Sequence, residues 1–257
     1  KNYFLSTVKT LAVFVVIGFS IGKAQGVFIT EIADPNTNAD ATAGGRFVEL
    51  YNNTGSDVDL TGWALRRWTN ANTDPQSDKA LQGTIPAGGF FIITNNASGF
   101  ESIYGIAANQ DIGTGGPADG NGDDDLALIN ANGEVVDLYG EGGGTDNSGT
   151  PWEFEDGRAE RIATVTAGNP TGDSAEWNID NDSGGGDGPQ EAPGDYDPGA
   201  WIGQPTPTNP YAHVWKLVPE AGALIVSSGE NATGSIWWSN SAGDVTTRAC
   251  LFDDKFV

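Results

Sequence analysis

The sequence predicts an all-β protein in which two antiparallel sheets stack face to face as a sandwich. Glycine is abundant, with 37 residues among 257, and methionine is absent. Short runs of Thr, Val, Ile and aromatic residues alternate with clusters of Asn, Asp, Gly and Pro, a pattern typical of many short strands joined by turns. No helical period separates these runs in the first half of the chain, so consecutive strands are expected to pair antiparallel rather than to form βαβ units.

Six segments have the composition of strands, because each is short, β-branched or aromatic, and bounded by turn residues. The turn between the last two is the most specific, since Asn132-Gly133 supplies the positive φ that a tight hairpin needs. We expect the inward faces to bury Val, Ile, Leu and Trp, and the acidic residues to stay on loops in water. The predicted strands are 27–32, 46–52, 62–67, 89–94, 125–130 and 134–139.

Between and after these strands, the sequence predicts three long loops and a linker. Residues 99–125 and 140–156 are rich in Gly and Asp, and residues 178–200 contain almost no aliphatic side chains. Loops of this length are usually functional or disordered. Residues 204–212 contain prolines at alternate positions, which favours an extended, semi-rigid linker and places a domain boundary there.

Residues 1–26 have the pattern of a signal peptide helix. A basic start precedes the apolar run 11–21, and small residues follow at 24–26. The alternative is a membrane anchor, but the run is shorter than the roughly 20 residues that a spanning helix needs. We therefore expect cleavage near Ala24 to Gly26, secretion to the extracellular space or the cell surface, and no membrane span afterwards. The start without Met and the end at Phe256-Val257 lead us to expect a fragment of a longer chain.

The net charge of the chain restricts the classes of partner that it is expected to bind. Its 35 acidic and 12 basic residues give a formal net charge of −23. Such a field repels phosphate backbones, so direct binding of nucleic acid is disfavoured. An acidic surface instead favours solubility, tolerance of salt and binding of divalent cations. The single cysteine, Cys250, leaves no intrachain disulfide.

Seven segments in order resemble successive strand motifs of the lamin tail domain over residues 27–165. The resemblance implies an immunoglobulin-like sandwich of a kind that occurs, in bacteria, in secreted or surface proteins, often joined to nucleases, phosphatases or other hydrolases. The loops 111–125 and 178–200 are longer and more acidic than the usual pattern. The segments are ITEI at 29–32, FVELYN at 47–52, DLTGWAL at 59–65, IPAGGFFII at 85–93, DLAL at 125–128, GEVVD at 133–137 and AER at 159–161.

Two further stretches extend the resemblance. Residues 175–203 are similar to the closing segment of bacterial members, so the domain is expected to span 27–203. Residues 213–257 resemble the opening of an accessory module found in secreted proteins of polysaccharide-degrading marine bacteria. Since only about 45 residues of it are present, we expect a truncated second β module.

No catalytic residue is predicted. The chain has no G-x-S-x-G elbow, His213 stands at a linker edge without a partner, and one His with one Cys cannot supply a zinc site. Glu31 and Glu49 lie inside apolar strands, where facing acids could share a proton as glycosidases require. The stronger interpretation is structural, with Arg46, Arg66 or Arg67 neutralising one glutamate.

Calcium is the candidate cofactor. Two segments place oxygen side chains at alternate positions between glycines, as a cation that takes six to eight oxygen ligands requires. The competing interpretation is a solvated acidic loop. The candidate ligands are Asp119, Asn121, Asp123 and Asp125 in the first segment and Asp180 and Asp182 in the second.

The tryptophans divide into two groups. Trp63 and Trp177 are expected in the core, whereas Trp68, Trp152, Trp201 and Trp237-Trp238 adjoin polar loops or ends. Exposed flat rings stack on sugars or anchor interfaces, which makes Trp68 and Trp152 candidate ligand-binding residues, although core packing is the default interpretation.

These features favour a secreted, non-catalytic binding or adhesion module of a larger extracellular protein, with a polysaccharide or a cell-surface protein as the ligand. One alternative is an accessory domain of an extracellular hydrolase whose catalytic domain is missing from this sequence: a glycoside hydrolase, nuclease or phosphatase. The other is a structural surface or matrix component without a ligand.

Overall fold

The computed structural model describes residues 26–35, 43–181 and 191–205, together with the backbone of strands at 224–226, 235–239 and 245–249. The chain divides into two compact units, Lys1–Gln204 and Pro205–Val257. The predicted signal peptide before Gly26 lies outside the described residues, as do Asp182, His213 and Cys250. Within the described part, no helix is both long enough and apolar enough to cross a membrane.

The described residues of the first unit lie mostly in strands and their connections, and a short α-helix, α1, spans Ala97–Tyr104. Two 3₁₀ turns occur at Pro117–Asp119 and Ser174–Glu176. The strands are β1 Val27–Ala33, β2 Phe47–Asn52, β3 Val58–Asp59, β4 Ala64–Trp68, β5 Lys79–Ala80, β6 Thr84–Ile85, β7 Phe90–Thr94, β8 Gln110–Asp111, β9 Asp125–Ile129, β10 Val135–Tyr139, β11 Arg158–Arg161 and β12 Trp177–Asp180.

These strands form two main sheets. The larger has the order β12-β11-β1-β2-β7-β8 and the smaller the order β10-β9-β4-β5, while β3 pairs with β6 alone. Their inward side chains share one apolar core, to which β1 and β2 contribute Ile29 and Leu50, and β4 and β9 contribute Leu65 and Leu128. Burying each such side chain stabilises the fold by about 1.5–3 kcal/mol. The predicted all-β sandwich is confirmed.

The six predicted strands are all present, with ends that differ by no more than two residues. The predicted hairpin is confirmed as well, because β9 and β10 pair antiparallel across it. Gly133 has φ +81° and donates its N–H to the Asn130 carbonyl at 2.9 Å. The Asn-Gly turn therefore sets the register of this strand pair.

The predicted loop 99–125 is wrong in its first part, which forms the end of helix α1. The Asn96 side chain caps the helix by accepting from Gly99 N at 3.1 Å, and Gly105 ends it with φ +73°. Phe100 is fully buried, with its ring 5.6 Å from that of Phe47. Tertiary packing thus stabilises a helix whose composition alone does not indicate one. Farther along, β8 pairs with β7 in parallel, against the antiparallel expectation.

Side chains connect the two sheets at two places. Gln110 on β8 donates Nε2–H to the Ala80 carbonyl and accepts from Gln82 N, each at 2.9 Å. From β10, the edge strand of the smaller sheet, the Asp137 carboxylate accepts from the backbone N of Ile29 on β1, the third strand of the larger sheet, at 2.8 Å. The first contact satisfies the Ala80 carbonyl on the edge strand β5.

In the second unit, three strands form an antiparallel sheet of order β13-β14-β15. They are β13 Leu224–Val226, β14 Ser235–Ser239 and β15 Val245–Ala249. Trp237 and Trp238 belong to β14. These strands fit the expected β character of this region, and its relation to an accessory module stays a prediction.

Candidate functional site

Three glutamates lie side by side on the outer face of the larger sheet. Glu31 on β1 is directly opposite Glu49 on β2 and Glu160 on β11. We call Glu49, Glu31 and Glu160 the carboxylate row. Residues that face each other in this way have Cβ atoms about 4.5–5.5 Å apart. The side chains are nonetheless 0%, 1% and 6% exposed, so the predicted facing pair, Glu31 and Glu49, is present and buried.

Residues 191–204, which we call the strap, cover this row. Two aromatic side chains anchor the strap: the Tyr196 ring lies 6.4 Å from that of Phe47, and the Trp201 ring lies 5.3 Å from that of Phe28. Trp201 also donates Nε1–H to the Arg161 carbonyl at 2.6 Å. These contacts fall on both sides of the glutamates along the strands, so the strap crosses above them.

Hydrogen bonds from the strap and from the sheet reach the row directly. Glu49 accepts from Gly199 N at Oε2, at 2.6 Å, and from Thr30 Oγ1 at Oε1, at 2.7 Å. Glu160 Oε1 accepts from Ile202 N at 3.4 Å. Glu31 Oε2 is buried and has no hydrogen-bond partner among the described residues. The carboxyl groups therefore hold the strap, and one of their oxygens is left uncompensated.

The cation of this site is Arg158. Its NH1 lies 3.4 Å from Glu31 Oε1 and 3.0 Å from Asp197 Oδ1 on the strap. Sequence reasoning missed this residue, although Arg158 and Glu160 alternate on one strand and so point to the same face.

The prediction that Arg46, Arg66 or Arg67 neutralises one of these glutamates is wrong, because each arginine pairs with another acid. Arg46 pairs with Asp34 at 2.7 Å, Arg66 with Asp78 at 2.8 Å, and Arg67 with Asp124 at 3.4 Å. For Arg66 and Arg67 the physical reason is strand order, since β11 and not β4 is the neighbour of β1. Arg46 directly precedes β2 and is held by Asp34, which directly follows β1.

Burial is the largest cause of the raised pKa values in the carboxylate row. It raises the pKa of Glu49 to about 8, against the opposing hydrogen bonds from Gly199 and Thr30. Burial, and next the charge of Glu49, raise the pKa of Glu31 well above its ordinary value, while Arg158 lowers it. Burial also raises the pKa of Glu160. The buried environment thus favours the protonated form of these acids.

The expectation that the acids stay on loops in water is wrong for several more residues. Asp137 and Arg161 are fully buried between the sheets and joined at 2.6 Å. Asp137 also accepts from Asn169 N at 2.8 Å, and the Arg161 guanidinium stacks 3.8 Å above the Trp177 ring. Buried charges are tolerated where they are paired and hydrogen-bonded in this way.

The predicted calcium ligands lie on different elements, with Asp119 in a 3₁₀ turn and Asp180 on β12. Asp119 already accepts from Asn95 Nδ2 at 2.7 Å, from Gly115 N at 2.6 Å and from Arg46 NH1 at 3.3 Å. Asn121 is exposed, and Asp180 lies opposite Arg158 on β12 of the larger sheet. No three His, Cys, Asp or Glu side chains in the described ranges are arranged to hold a metal ion.

Two other candidates, Asp123 and Asp125, organise a set of loops. Asp125 accepts from Glu141 N at 3.1 Å, Gly143 N at 2.6 Å and Asn147 Nδ2 at 2.8 Å. Oδ1 of Asp123 and Oδ1 of Asn147 have no hydrogen-bond partner among the described residues. Calcium binding stays a prediction, and it can be tested at the loops around Asp123 and Asp125.

These contacts join three loops, residues 69–76, 120–124 and 141–149, which we call the loop cluster. Asn70 Nδ2 donates to Asp123 Oδ2 at 3.2 Å, Asn147 N to the Asp123 carbonyl at 3.2 Å, and Gly144 N to the Asn72 carbonyl at 3.0 Å. Exposed side chains cover the cluster, among them Asp74, Asn121, Glu141 and Asp146.

The two candidate ligand-binding tryptophans are buried. Trp68 is 7% exposed and packs with Ala127 and Leu138, and Trp152 is 8% exposed with its ring 5.0 Å from Tyr139. Neither presents the flat exposed face that stacking on a sugar requires, so the alternative interpretation as packing residues applies. Trp63 and Trp177 lie in the core as predicted.

A comparison with known families accounts for this architecture. Residues 22–143 match the family model of the Lamin Tail Domain. The matched residues correspond to a lamin tail domain. The resemblance derived from the strand motifs is therefore confirmed over these residues, and with it the immunoglobulin-like β-sandwich, while its extension to residue 203 stays a prediction. A search of curated proteins found no match to the chain.

The matched part of the lamin tail domain ends just after β10. Glu31 and Glu49 lie within it, whereas β11, β12 and the strap follow it. In this chain the sheet that begins in the matched residues is thus completed by residues beyond them, since β11 pairs with β1.

Proposed function

We propose that this chain is a secreted, non-catalytic binding or adhesion module of a larger extracellular protein, and that the loop cluster is its binding surface. The observation that carries the proposal is that three loops, distant in sequence, are held together as one exposed polar surface. Binding residues are often placed on loops held by a rigid sandwich.

The loop cluster is anchored to the smaller sheet. Asp125, on β9, holds the backbone of Glu141 and Gly143, and Asp124 accepts from Asn70 N at 3.1 Å while pairing with Arg67. Loops attached in this manner lose little further conformational entropy when a ligand binds. The surface is therefore preorganised for recognition.

The chemistry of this surface supports a ligand rich in hydroxyl or basic groups. Carboxylates and side-chain amides accept hydrogen bonds from sugar hydroxyls and pair with Lys or Arg. A polysaccharide or a basic patch on a cell-surface protein fits this donor and acceptor set. Nucleic acid fits poorly, because acidic groups repel phosphates.

The buried glutamate pair supports a non-catalytic role for the larger sheet. Both oxygens of Glu49 accept hydrogen bonds, and the strap lies over the carboxylate row. A glycosidase needs its two carboxyl groups on either side of a bound glycosidic bond. In this structure the strap takes the place that a substrate would need.

The experiment measures binding of the full chain to a glycan array and to intact cells from which it is secreted. Asp74→Ala removes an exposed charge within the loop cluster, and Glu101→Ala removes one on α1 as the matched control. We expect the first variant to lose affinity by about tenfold if Asp74 contacts the ligand, a typical effect for one important contact residue. The control should bind like the unaltered chain.

Absence of binding by the unaltered chain to any glycan or cell surface would overturn the proposal and favour a structural component. An equal loss of affinity in both variants would show that the binding surface does not lie specifically at the loop cluster. Secretion is tested separately, by N-terminal sequencing of the protein recovered from the medium. Cleavage at Ala24 to Gly26 is expected, and a retained leader would contradict it.

A further inference from the structure

The carboxyl groups of Glu49 and Glu160 hold the strap through hydrogen bonds. Once ionised, the same groups would repel an acid that the strap carries. Gly199 N and Ile202 N of the strap donate to Glu49 and Glu160, and the strap also carries an acid of its own, Asp197. The described charged groups facing this contact are one guanidinium, of Arg158, and four carboxyl groups, of Glu31, Glu49, Glu160 and Asp197.

We infer that the carboxylate row is a proton-binding site that controls docking of the strap: the strap stays seated while Glu31 and Glu49 retain a proton, and it lifts when they ionise. The inference is independent of the proposed ligand of the loop cluster. It rests on the facing register of the two glutamates, their burial beneath the strap and the uncompensated oxygen of Glu31.

Charge balance supports this assignment. Fully ionised, the four carboxyl groups face a single cation, and like charges in adjacent cross-strand positions are destabilising. An ionised Glu31 would also leave Oε2 buried without a hydrogen bond, which is costly for a charged group. Lifting the strap exposes these groups to water and removes both penalties.

The groups that surround the site from each packed element do not offset this charge. The strap contributes Tyr196, whose hydroxyl donates to the Gly157 carbonyl at 3.1 Å. Helix α1 contributes Tyr104, which donates to the Gly45 carbonyl at 2.7 Å. Near the end of β1, Asp34 is already paired with Arg46 at 2.7 Å. Arg158 is therefore the cation closest to the row among the described residues.

The direction of the pH effect follows from the raised pKa values of these glutamates. The pKa of Glu49 is about 8 with the strap seated, and exposure to water returns a glutamate to its ordinary range. The seated state therefore binds more protons than the lifted state above that ordinary range. Seating is favoured at acidic pH and weakens as the pH rises through the pKa of the seated state.

Hydrogen exchange of the full chain tests this inference, with rates corrected for the intrinsic effect of pH. Amides of Gly199 and Ile202 report the strap, and amides of β2, Phe47–Asn52, report the sandwich. We expect the opening constant of the strap to rise about tenfold for each pH unit below the seated-state pKa of about 8, as release of one proton requires, and to level off above it, while β2 stays protected.

The matched variants separate charge from packing. In the double variant Glu31→Gln with Glu49→Gln, each amide still provides an acceptor oxygen but cannot ionise, so strap protection should become independent of pH. Asp78→Asn removes an exposed acid on the other sheet and should retain the pH profile of the unaltered chain. Should the double variant fail to fold, Glu49→Gln alone is expected to reduce the slope.

A strap whose corrected protection is constant from pH 6 to pH 9.5, a range chosen to span the pKa of about 8, would overturn the inference without any variant. So would a double variant that keeps the pH dependence of the unaltered chain. Loss of protection in β2 together with the strap would show unfolding of the sandwich instead, and would also count against it.

Discussion

Asp137 on β10 and Arg161 on β11 form an ion pair at 2.6 Å in which neither side chain is exposed. The pair connects the smaller sheet to the larger one, since Asp137 also accepts from Ile29 N and Arg161 Nε donates to the Ile29 carbonyl at 3.2 Å. A buried ion pair thus joins the edge strand β10 of the smaller sheet to two inner strands of the larger sheet. This arrangement makes the fold sensitive to the loss of either partner.

Replacing Asp137 with Ala should lower the free energy of unfolding by about 3–5 kcal/mol, because it leaves a buried guanidinium without its partner. Urea denaturation monitored by tryptophan fluorescence measures the change. The control is Asp78→Ala, which breaks a partly exposed pair with Arg66 and should cost less than about 1 kcal/mol. A loss in the Asp137 variant as small as in the control would contradict the assigned role.

The free energy of unfolding should fall as the pH rises from mildly acidic to mildly alkaline values. The folded-state pKa is raised for Glu31, for Glu49 to about 8 and for Asp34 to about 6, in each case chiefly by burial. A group with a raised folded pKa stabilises the fold below its unfolded pKa and loses that contribution as the pH rises through the folded pKa.

Urea denaturation at pH values between 5 and 9, chosen to bracket the pKa values of about 6 and about 8, checks this dependence. As the pH rises, the stabilising contribution of Asp34 should be lost at a lower pH than that of Glu49. Asp34→Asn should remove the lower step alone. A stability maximum at the alkaline end would refute the dominance of burial.

Trp201 should be an anchor of the strap and not a ligand-binding ring. Trp201→Ala removes a buried ring that contacts Phe28 and Tyr51, at 5.3 and 5.4 Å, and we expect a loss of about 3–5 kcal/mol in the free energy of unfolding. The neighbouring change Ile202→Ala affects a side chain that is 54% exposed and should stay within about 0.5 kcal/mol. Equal effects of the two changes would show that the strap is not seated through Trp201.

Calcium should raise the midpoint of thermal unfolding through Asp123, whose buried Oδ1 has no hydrogen-bond partner among the described residues. The carboxylates of Asp119 and Asp125 are already occupied by arginine, amide and backbone donors, so binding of the ion there would break existing hydrogen bonds. Differential scanning calorimetry with and without excess calcium tests this. A ligand that binds the folded state raises the midpoint. A rise that is abolished by Asp123→Asn would establish a calcium site in the loop cluster, and an unchanged midpoint would overturn the calcium prediction.

Local patterns were sufficient for the strands of the sandwich. Alternation and turn residues predicted β1, β2, β4, β7, β9 and β10, and the Asn132-Gly133 pair predicted the hairpin, because these signals act over a few residues. Helix α1 was missed, since it depends on the contact between Phe100 and Phe47 on another element. The burial of Trp68 and Trp152 stays open in the sequence for the same reason, because adjacency to a polar loop does not show what packs over a ring.

The sequence by itself determined the β class, the facing of Glu31 and Glu49 on neighbouring strands, and the acidity of the chain. Only the tertiary structure decided which cation meets these acids and what covers them. Arg158 is 127 positions from Glu31, and Gly199 is 150 positions from Glu49. Such partners are chosen by strand order and by the path of the strap, which depend on how the whole chain buries its apolar surface. No local run of residues encodes that choice.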